Sequence, residues 1–262
     1  PYAMGQALEF LAGEGPRLSP RLVDTALSAL QAVPERLLPI YEPVAKVKAG
    51  IQYALGRKGP LSGISTLAGI LTRSNPRFEQ PDLQFNIFLW SIEKRDRNGI
   101  YAHKWPGFSI SPVHLRPEGR GRVSLKSPDA LAPPKIEFKF LETSYDIETM
   151  LYGLRFARKI AAQPALKPLI AEEVSPGPAV ASDEAMIEDL RNRGVSNLHP
   201  VGTCRMGTGA DAVVDPRLRV LGIQGLRVAD ASIMPQVVGG NTNAPTMMIA
   251  ERAADLILGK KL

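Results

Sequence analysis

Between residues 83 and 140, short runs alternate apolar and polar side chains almost one by one, and this period of two constrains the fold more than any other feature. Leu83, Phe85, Ile87 and Leu89 interleave with Gln84, Asn86 and Phe88; Phe108, Ile110 and Pro112 recur within 107–115; Gly121 to Leu125 is a shorter example; and Ile136, Phe138 and Phe140 interleave with Lys135, Glu137 and Lys139. Successive side chains of a strand point to opposite faces, so such runs have one buried and one wet face. That pattern favours antiparallel pairing over a doubly covered parallel sheet. The turn-forming clusters Asp96 to Gly99, Pro117 to Gly121 and Ser127 to Pro134 separate the runs. The expectation is one antiparallel sheet with helices packed on a face, an α+β arrangement.

Helical spacing flanks these runs. Leu22, Val23, Ala26, Leu27, Leu30 and Val33 predict an amphipathic helix over Pro20 to Val33, broken by Pro34, Pro39 and Pro43. Residues 45–59 predict a second helix with a stop at Gly59-Pro60, followed by a loop through Pro76 and Pro81. Ile147, Met150, Leu151, Leu154, Ala157 and Ile160 form one stripe of a helix over Asp146 to Gln163, with Thr143 and Asp146 as a capping pair. Another helix runs from about Asp183 to Arg193 behind Ser182 as N-cap.

Composition excludes several function classes. At 44% hydrophobic and 22% charged the chain is neither disordered nor fibrous. No apolar run reaches the roughly 18 residues of a membrane span. A single cysteine, Cys204, allows no disulfide within the chain and no cysteine-rich zinc site, so no metal is expected, and it fits a reducing, cytoplasmic setting. The net charge of +6 is spread among acids, as in Glu93 to Arg97, and no aromatic-basic motif accompanies it, so nucleic acid is not an expected partner.

From residue 197 the texture changes. Asn197 to Gly207 is rich in small residues and has no period; Ala212 to Pro216 leads to Leu218 and Val220; Leu226 to Asp230 predicts a short strand ending in an acid. Gly239-Gly240-Asn241-Thr242-Asn243-Ala244-Pro245 then precedes a predicted helix from Thr246 to Leu258. Asn243 or Asn241 can cap it, and Pro245 suits a first turn where its missing N–H costs nothing. Glycines at 239 and 240 permit close approach of backbone to another group. A helix start presents unpaired N–H groups and a partial positive charge, which suit an anion such as a reduced flavin. Neither this feature nor His199 is specific alone. Their pairing across 44 positions, each in an irregular loop leading into a regular element, is more specific.

The stretches His199-Pro-Val-Gly-Thr-Cys-Arg-Met-Gly207, Ala212 to Val220, Gly225-Leu-Arg-Val-Ala-Asp-Ala-Ser-Ile-Met-Pro235 and Gly240-Asn-Thr-Asn-Ala-Pro-Thr-Met-Met-Ile-Ala-Glu-Arg-Ala-Ala254 together resemble the C-terminal signature of the glucose–methanol–choline (GMC) oxidoreductases, which are FAD-dependent alcohol oxidases and dehydrogenases. Arg57 to Pro60, Arg73 to Pro76, Pro81 to Phe85 and Gln163 to Leu166 resemble that family's substrate domain. The resemblance spans roughly residues 45–262 and divides the chain into an unplaced helical segment (1–44), a substrate-binding domain (45–196) and a catalytic and cofactor-domain segment (197–262).

The resemblance implies FAD as cofactor and a small-molecule alcohol as substrate. His199 would be the base that takes the hydroxyl proton, and Asn243 would hold the alcohol oxygen. Asp230 and Ala231 would lie beside the FAD ribityl and pyrophosphate, with backbone N–H groups of that turn as donors. Asn241, Thr242 and Pro245 would face the flavin pyrimidine edge. Cys204 reads as a packed small hydrophobe. The run around Asn243 resembles the dehydrogenase-type and choline-dehydrogenase-like members more than the fungal glucose oxidases. The family holds the ADP part of FAD with an N-terminal Gly-x-Gly-x-x-Gly unit, and no such fingerprint occurs here. Together with the Pro1-Tyr2 start, this predicts that the chain is a C-terminal portion, inactive without an N-terminal FAD-binding region. The predicted strand at 226–230 and the C-terminal helix would belong to that other domain, leaving Val228, Met247, Ile249, Ala250, Ala253 and Ile257 partly exposed. The alternative reading is a non-catalytic substrate-domain module that binds no FAD.

Overall fold

Two of the alternating runs form the centre of a sheet. The computed structural model describes residues 4–5, 43–62, 66–88, 90–96, 99–105, 107–164 and 166–260. Strand β3 (Leu83–Phe88) pairs antiparallel with β6 (Ser109–His114), in a register that sets Leu83 opposite His114 and Ile87 opposite Ile110. Leu83, Phe85 and Ile87 are fully buried, whereas Gln84, Asn86 and Phe88 are half-buried. The five-stranded sheet has the order β2 (Thr66–Thr72), β3, β6, β1 (Met4–Gly5), β9 (Val195–Ser196), antiparallel throughout.

Helix α1 spans Pro43–Gly56, and α2 spans Ser144–Ala161. Thr143 caps α2 from extended geometry, its hydroxyl accepting from the Asp146 N–H at 3.1 Å, and Arg158 and Lys159 in the last turn suit the negative end. Met150, Leu154, Ala157 and Ala161 recur at helical spacing and are buried against the sheet. Gly153 makes that approach possible: a Cβ there would lie 2.9 Å from Pro112 Cβ on β6. Helix α3 (Asp183–Arg193) is capped by Ser182, as the sequence predicts, and adds Met186 and Leu190 to the same core. The Asp146 carboxylate also fastens the loop after β6. It takes the Glu118 and Gly119 N–H groups at 2.8 Å and meets His114 Nε2 at 3.1 Å. Burial opposes its ionisation, but these three donors hold its pKa below the usual carboxylate range.

A second, smaller core lies C-terminal to the sheet. Val201, Val214, Leu218, Ile233, Met234 and Val237 pack with Ile249, Ala253 and Leu256 of helix α4 (Asn243–Ile257). Among the described residues, no helix is long and apolar enough to cross a membrane.

Several expectations need correction. The runs at 83–140 do not share one sheet: β7 (Arg122–Ser124) and β8 (Lys135–Glu137) form a separate two-stranded hairpin, with Val123 and Ile136 about half exposed. Alternation sets which way side chains point, but it does not say which strand supplies the partner. A second hairpin, β4 (Ile92–Asp96) with β5 (Gly99–Ala102), arises where the charges of Glu93 to Arg97 read as a solvated cluster. Strand β2 was expected as loop, because Thr66 to Thr72 contains no polar alternation. Residues 226–230 form no strand; only the bridge between Arg219 and Arg227 occurs there. Helix α4 starts at Asn243, three residues earlier than predicted, and neither Asn243 nor Asn241 caps it. Of the residues expected to be exposed, Met247, Ala250 and Ile257 are, but Ile249 and Ala253 are buried in this chain's own second core. The predicted helix at 20–33 lies outside the described residues.

Leu154 is 1% exposed at the centre of the α2–sheet contact. Leu154→Ala should lower unfolding stability by about 2–5 kcal/mol, read as a lower urea midpoint. A change under about 0.5 kcal/mol would mean that α2 does not hold the sheet as described.

Candidate active site

His199 enters the site from the sheet edge. Strand β9 ends at Ser196, whose hydroxyl accepts the Leu198 N–H at 3.1 Å. Leu198 has φ +61°, a left-handed conformation that a branched side chain adopts at a cost, and it turns the chain into the histidine loop. The loop is then tied down by backbone. The Cys204 N–H donates to the Ser232 carbonyl at 3.0 Å and the Met206 N–H to the Ile233 carbonyl at 2.7 Å. Cys204 itself is half-buried, a packing position. Val201, two residues after the histidine, is buried in the second core together with Ile249 of α4.

The glycine loop is placed from the other side. Gly239 has φ +75°, and a Cβ there would meet the Arg116 guanidinium at 2.7 Å. Arg116 is itself anchored through Nε to the Pro81 carbonyl at 3.1 Å and through Nη2 to the Gln80 side chain. The approach to α4 is therefore braced against the loop between β2 and β3.

These two loops meet. His199 Nδ1 lies 3.0 Å from Thr242 Oγ1, and the Thr242 N–H points to the same nitrogen at 3.4 Å. Thr242 is buried and Asn243, the next residue, is exposed at the first position of α4. The Asn243 Nδ2 reaches Met247 Sδ at 3.9 Å, a weak contact that leaves its carbonyl oxygen unused by that bond. Burial lowers the pKa of His199 below its ordinary value, and among the described residues no charged side chain contributes to the shift. Nδ1 is committed to Thr242, so Nε2 is the nitrogen left for an incoming ligand.

The start of α4 carries no side-chain cap and no acid in its first turn. Thr246 closes the first backbone bond, its N–H donating to the Thr242 carbonyl at 3.0 Å. Pro245 is half-buried within the first turn and has no N–H, so the Asn243 and Ala244 N–H groups are the donors of this terminus. Asn241 is exposed, and among the described residues a Cβ on Gly240 would meet no atom within 4 Å. An electron-rich carbonyl edge or an anion fits this terminus.

Asp230 is arranged differently. Its exposed carboxylate accepts the Ser232 N–H at 2.7 Å and starts a short 3-10 turn, Ala231–Ile233. The Ile233 and Met234 N–H groups are used inside the turn, by Asp230 and Ala231 carbonyls, which leaves the Ala231 N–H as the donor the turn does not consume. The interaction that sequence reading missed is the one between Thr242 and His199. No sequence signal marks it: Ser182 caps α3 with alanine three residues on, so the lack of a Glu or Gln after Thr242 does not say where its hydroxyl turns.

His199 should titrate below 6.5 in an NMR pH series, because burial favours the neutral ring. The unfolded chain then binds the extra proton first, so this group's contribution to stability falls as pH drops below about 6.5. A midpoint at or above 6.5 would contradict the described burial.

Comparison with known proteins gives concordant results. A family model for the C-terminal part of the GMC oxidoreductases matches residues 117–250. An alcohol dehydrogenase [acceptor] of Pseudomonas putida is 40% identical over 208 residues, covering 79% of this chain and 37% of its own length. An oxygen-dependent choline dehydrogenase of Pseudomonas fluorescens is 42% identical over 194 residues, covering 74% of this chain and 34% of its own. The crystallised FAD-dependent oxidoreductase of Chaetomium thermophilum superposes with a TM-score of 0.73 at 19% identity, over 98% of this chain and 47% of that one, and so shares the fold. The chain spans about a third of the length of the two dehydrogenases it matches. With half of its residues matched by the family model, the chain belongs to the GMC oxidoreductase family.

Proposed function

We propose that this chain supplies the substrate side of an FAD-dependent alcohol oxidoreductase, with His199 as general base and Asn243 as the group that holds the substrate oxygen. The observation that carries this reading is the bond from His199 Nδ1 to Thr242, which sets the imidazole beside the open start of α4. The alcohol and choline dehydrogenase names of the relatives point to the same chemistry.

The residues present fit a flavin edge. An uncapped helix start without acids, an adjacent glycine with open space, and a half-buried neutral histidine are what an electron-rich N1–C2=O edge and a hydroxylic substrate require. When bound, FAD supplies the acceptor for the hydride that leaves the alcohol carbon. The Asn243 and Ala244 N–H groups would face the pyrimidine edge, with Asn241, Thr242 and Pro245 shaping the approach. Asp230 would hold its turn in shape so that the Ala231 N–H is free for the ribityl or pyrophosphate. His199 Nε2 accepts the hydroxyl proton, and lowering of its pKa by burial keeps it neutral at pH 7 and ready to do so. The Asn243 carboxamide fixes the alcohol oxygen, which reduces the orientational entropy lost on reaching the reactive geometry.

The test is to combine the chain with a dinucleotide-binding polypeptide of its family. The assembly should take up flavin, turn yellow and reduce a dye with an alcohol. His199→Ala should leave the flavin bound and lower turnover by about 10²–10⁴-fold. Near-full turnover in that variant would remove His199 from the mechanism. A colourless, folded assembly would favour the non-catalytic reading.

A further inference from the structure

Helix α1 (Pro43–Gly56) is inverted relative to a core helix. Successive residues of a helix lie about 100° apart, so Val44, Val47, Ile51 and Leu55 fall on one stripe. Among the described residues these four are 82%, 63%, 54% and 85% exposed, whereas Ala49, on the opposite side, is 5% exposed. The helix buries a methyl group and turns its larger apolar side chains outward. Leu61, in the short turn that follows, is exposed as well.

The charges around the stripe have one sign. Residues 43–62 contain Lys46, Lys48, Arg57 and Lys58 and no acid, and all four cations are exposed. Lys46 and Lys48 lie on either side of the stripe, where their stems can run along apolar surface while the ammonium groups reach past it. Arg57 is held at the end of the helix. Its N–H donates to the Tyr53 carbonyl at 2.9 Å, and its guanidinium lies 5.0 Å from the centre of the Tyr53 ring.

This pairing of features narrows the partner. A second copy of the chain would bring these four cations against four more, with no acid between them. Nucleic acid would take the cations and leave the stripe wet. A protein partner would need a socket shaped to the ridge, whereas a fluid interface needs none. An anionic lipid surface meets both demands: its headgroup region takes an apolar helix face lying flat, and its charge attracts the lysines and the arginine. At 14 residues the helix is about 21 Å long, too short to cross a bilayer and long enough to lie in its interface.

We propose that α1 is an interfacial anchor that lays Val44, Val47, Ile51 and Leu55 among the headgroups of an anionic bilayer, with Lys46, Lys48, Arg57 and Lys58 against the lipid charge. One short helix gives peripheral, reversible attachment. The proposal is independent of the flavin chemistry and of the roles of His199 and Asn243.

The test is flotation of the full chain with two kinds of vesicle, phosphatidylcholine alone and phosphatidylcholine with about one third phosphatidylglycerol. The chain should float with the anionic vesicles and not with the neutral ones, and binding should weaken as salt is raised. Lys46→Gln with Lys48→Gln should lower the partition coefficient roughly 25-fold, about fivefold for each charge. Ile51→Ser with Leu55→Ser should lower it about tenfold or more. Leu125→Ser with Leu131→Ser, at exposed apolar positions of the β7–β8 loop, should leave it unchanged. All the substituted side chains are exposed, so the variants should keep the wild-type circular dichroism. Absence of flotation with the anionic vesicles, equal flotation with both kinds, or an equal loss in the Leu125 and Leu131 variant overturns the proposal. So does unchanged flotation of the α1 variants; if those variants also turn a wild-type dimer into a monomer, the stripe belongs to a second copy.

Discussion

The second core holds together two segments that would otherwise drift apart. His199 lies in a loop without regular structure, and fixing the backbone of such a segment costs about 1–2 kcal/mol per residue. Val201 and Val214 meet Ile249 and Ala253 in one buried cluster, so the histidine loop and helix α4 are set against the same apolar surface. The Cys204 and Met206 N–H groups add hydrogen bonds to Ser232 and Ile233. Only with both in place can the His199 ring rest against Thr242. The larger core contributes through β9, which ends just before the loop, and through Arg116, which braces Gly239.

Among the described residues, the groups bonded to the His199 ring are neutral. The histidine is shifted by burial, the helix start is free of acids, and the partner bonded to the ring is Thr242. A carboxylate bonded to the ring would raise its pKa and favour the cation at neutral pH. A hydroxyl orients the ring without that effect. The cation formed on proton transfer is then less stabilised than it would be beside an acid, and it can give up its proton again.

Sequence made the local elements readable where one signal dominated. Thr143 and Ser182 marked the starts of α2 and α3 because a hydroxyl at an N-cap has a single common use. Leu83, Phe85 and Ile87 gave the buried face of β3 because the period of two has no other cause. Partnering was less legible: Val123 and Ile136 alternate as a sheet strand should, yet they pair only with each other, since pairing depends on chain segments far away. The Ile92–Asp96 strand was hidden by its charges. Of the site, His199 and Asn243 stand in recognisable motifs, but the bond from His199 to Thr242 is not legible there. Thr242 has the identity of an N-cap and the position of one, and only the backbone angles show that its oxygen is turned to the histidine.

The proposed function turns on an imidazole and a carboxamide from distant loops acting on one alcohol oxygen. The most direct measurement is a crystal structure of the flavin-loaded assembly with a bound alcohol analogue. In it, His199 Nε2 and the Asn243 side chain should both lie within roughly 3 Å of the analogue's hydroxyl oxygen. An analogue bound next to the flavin with either side chain beyond hydrogen-bonding reach would contradict it.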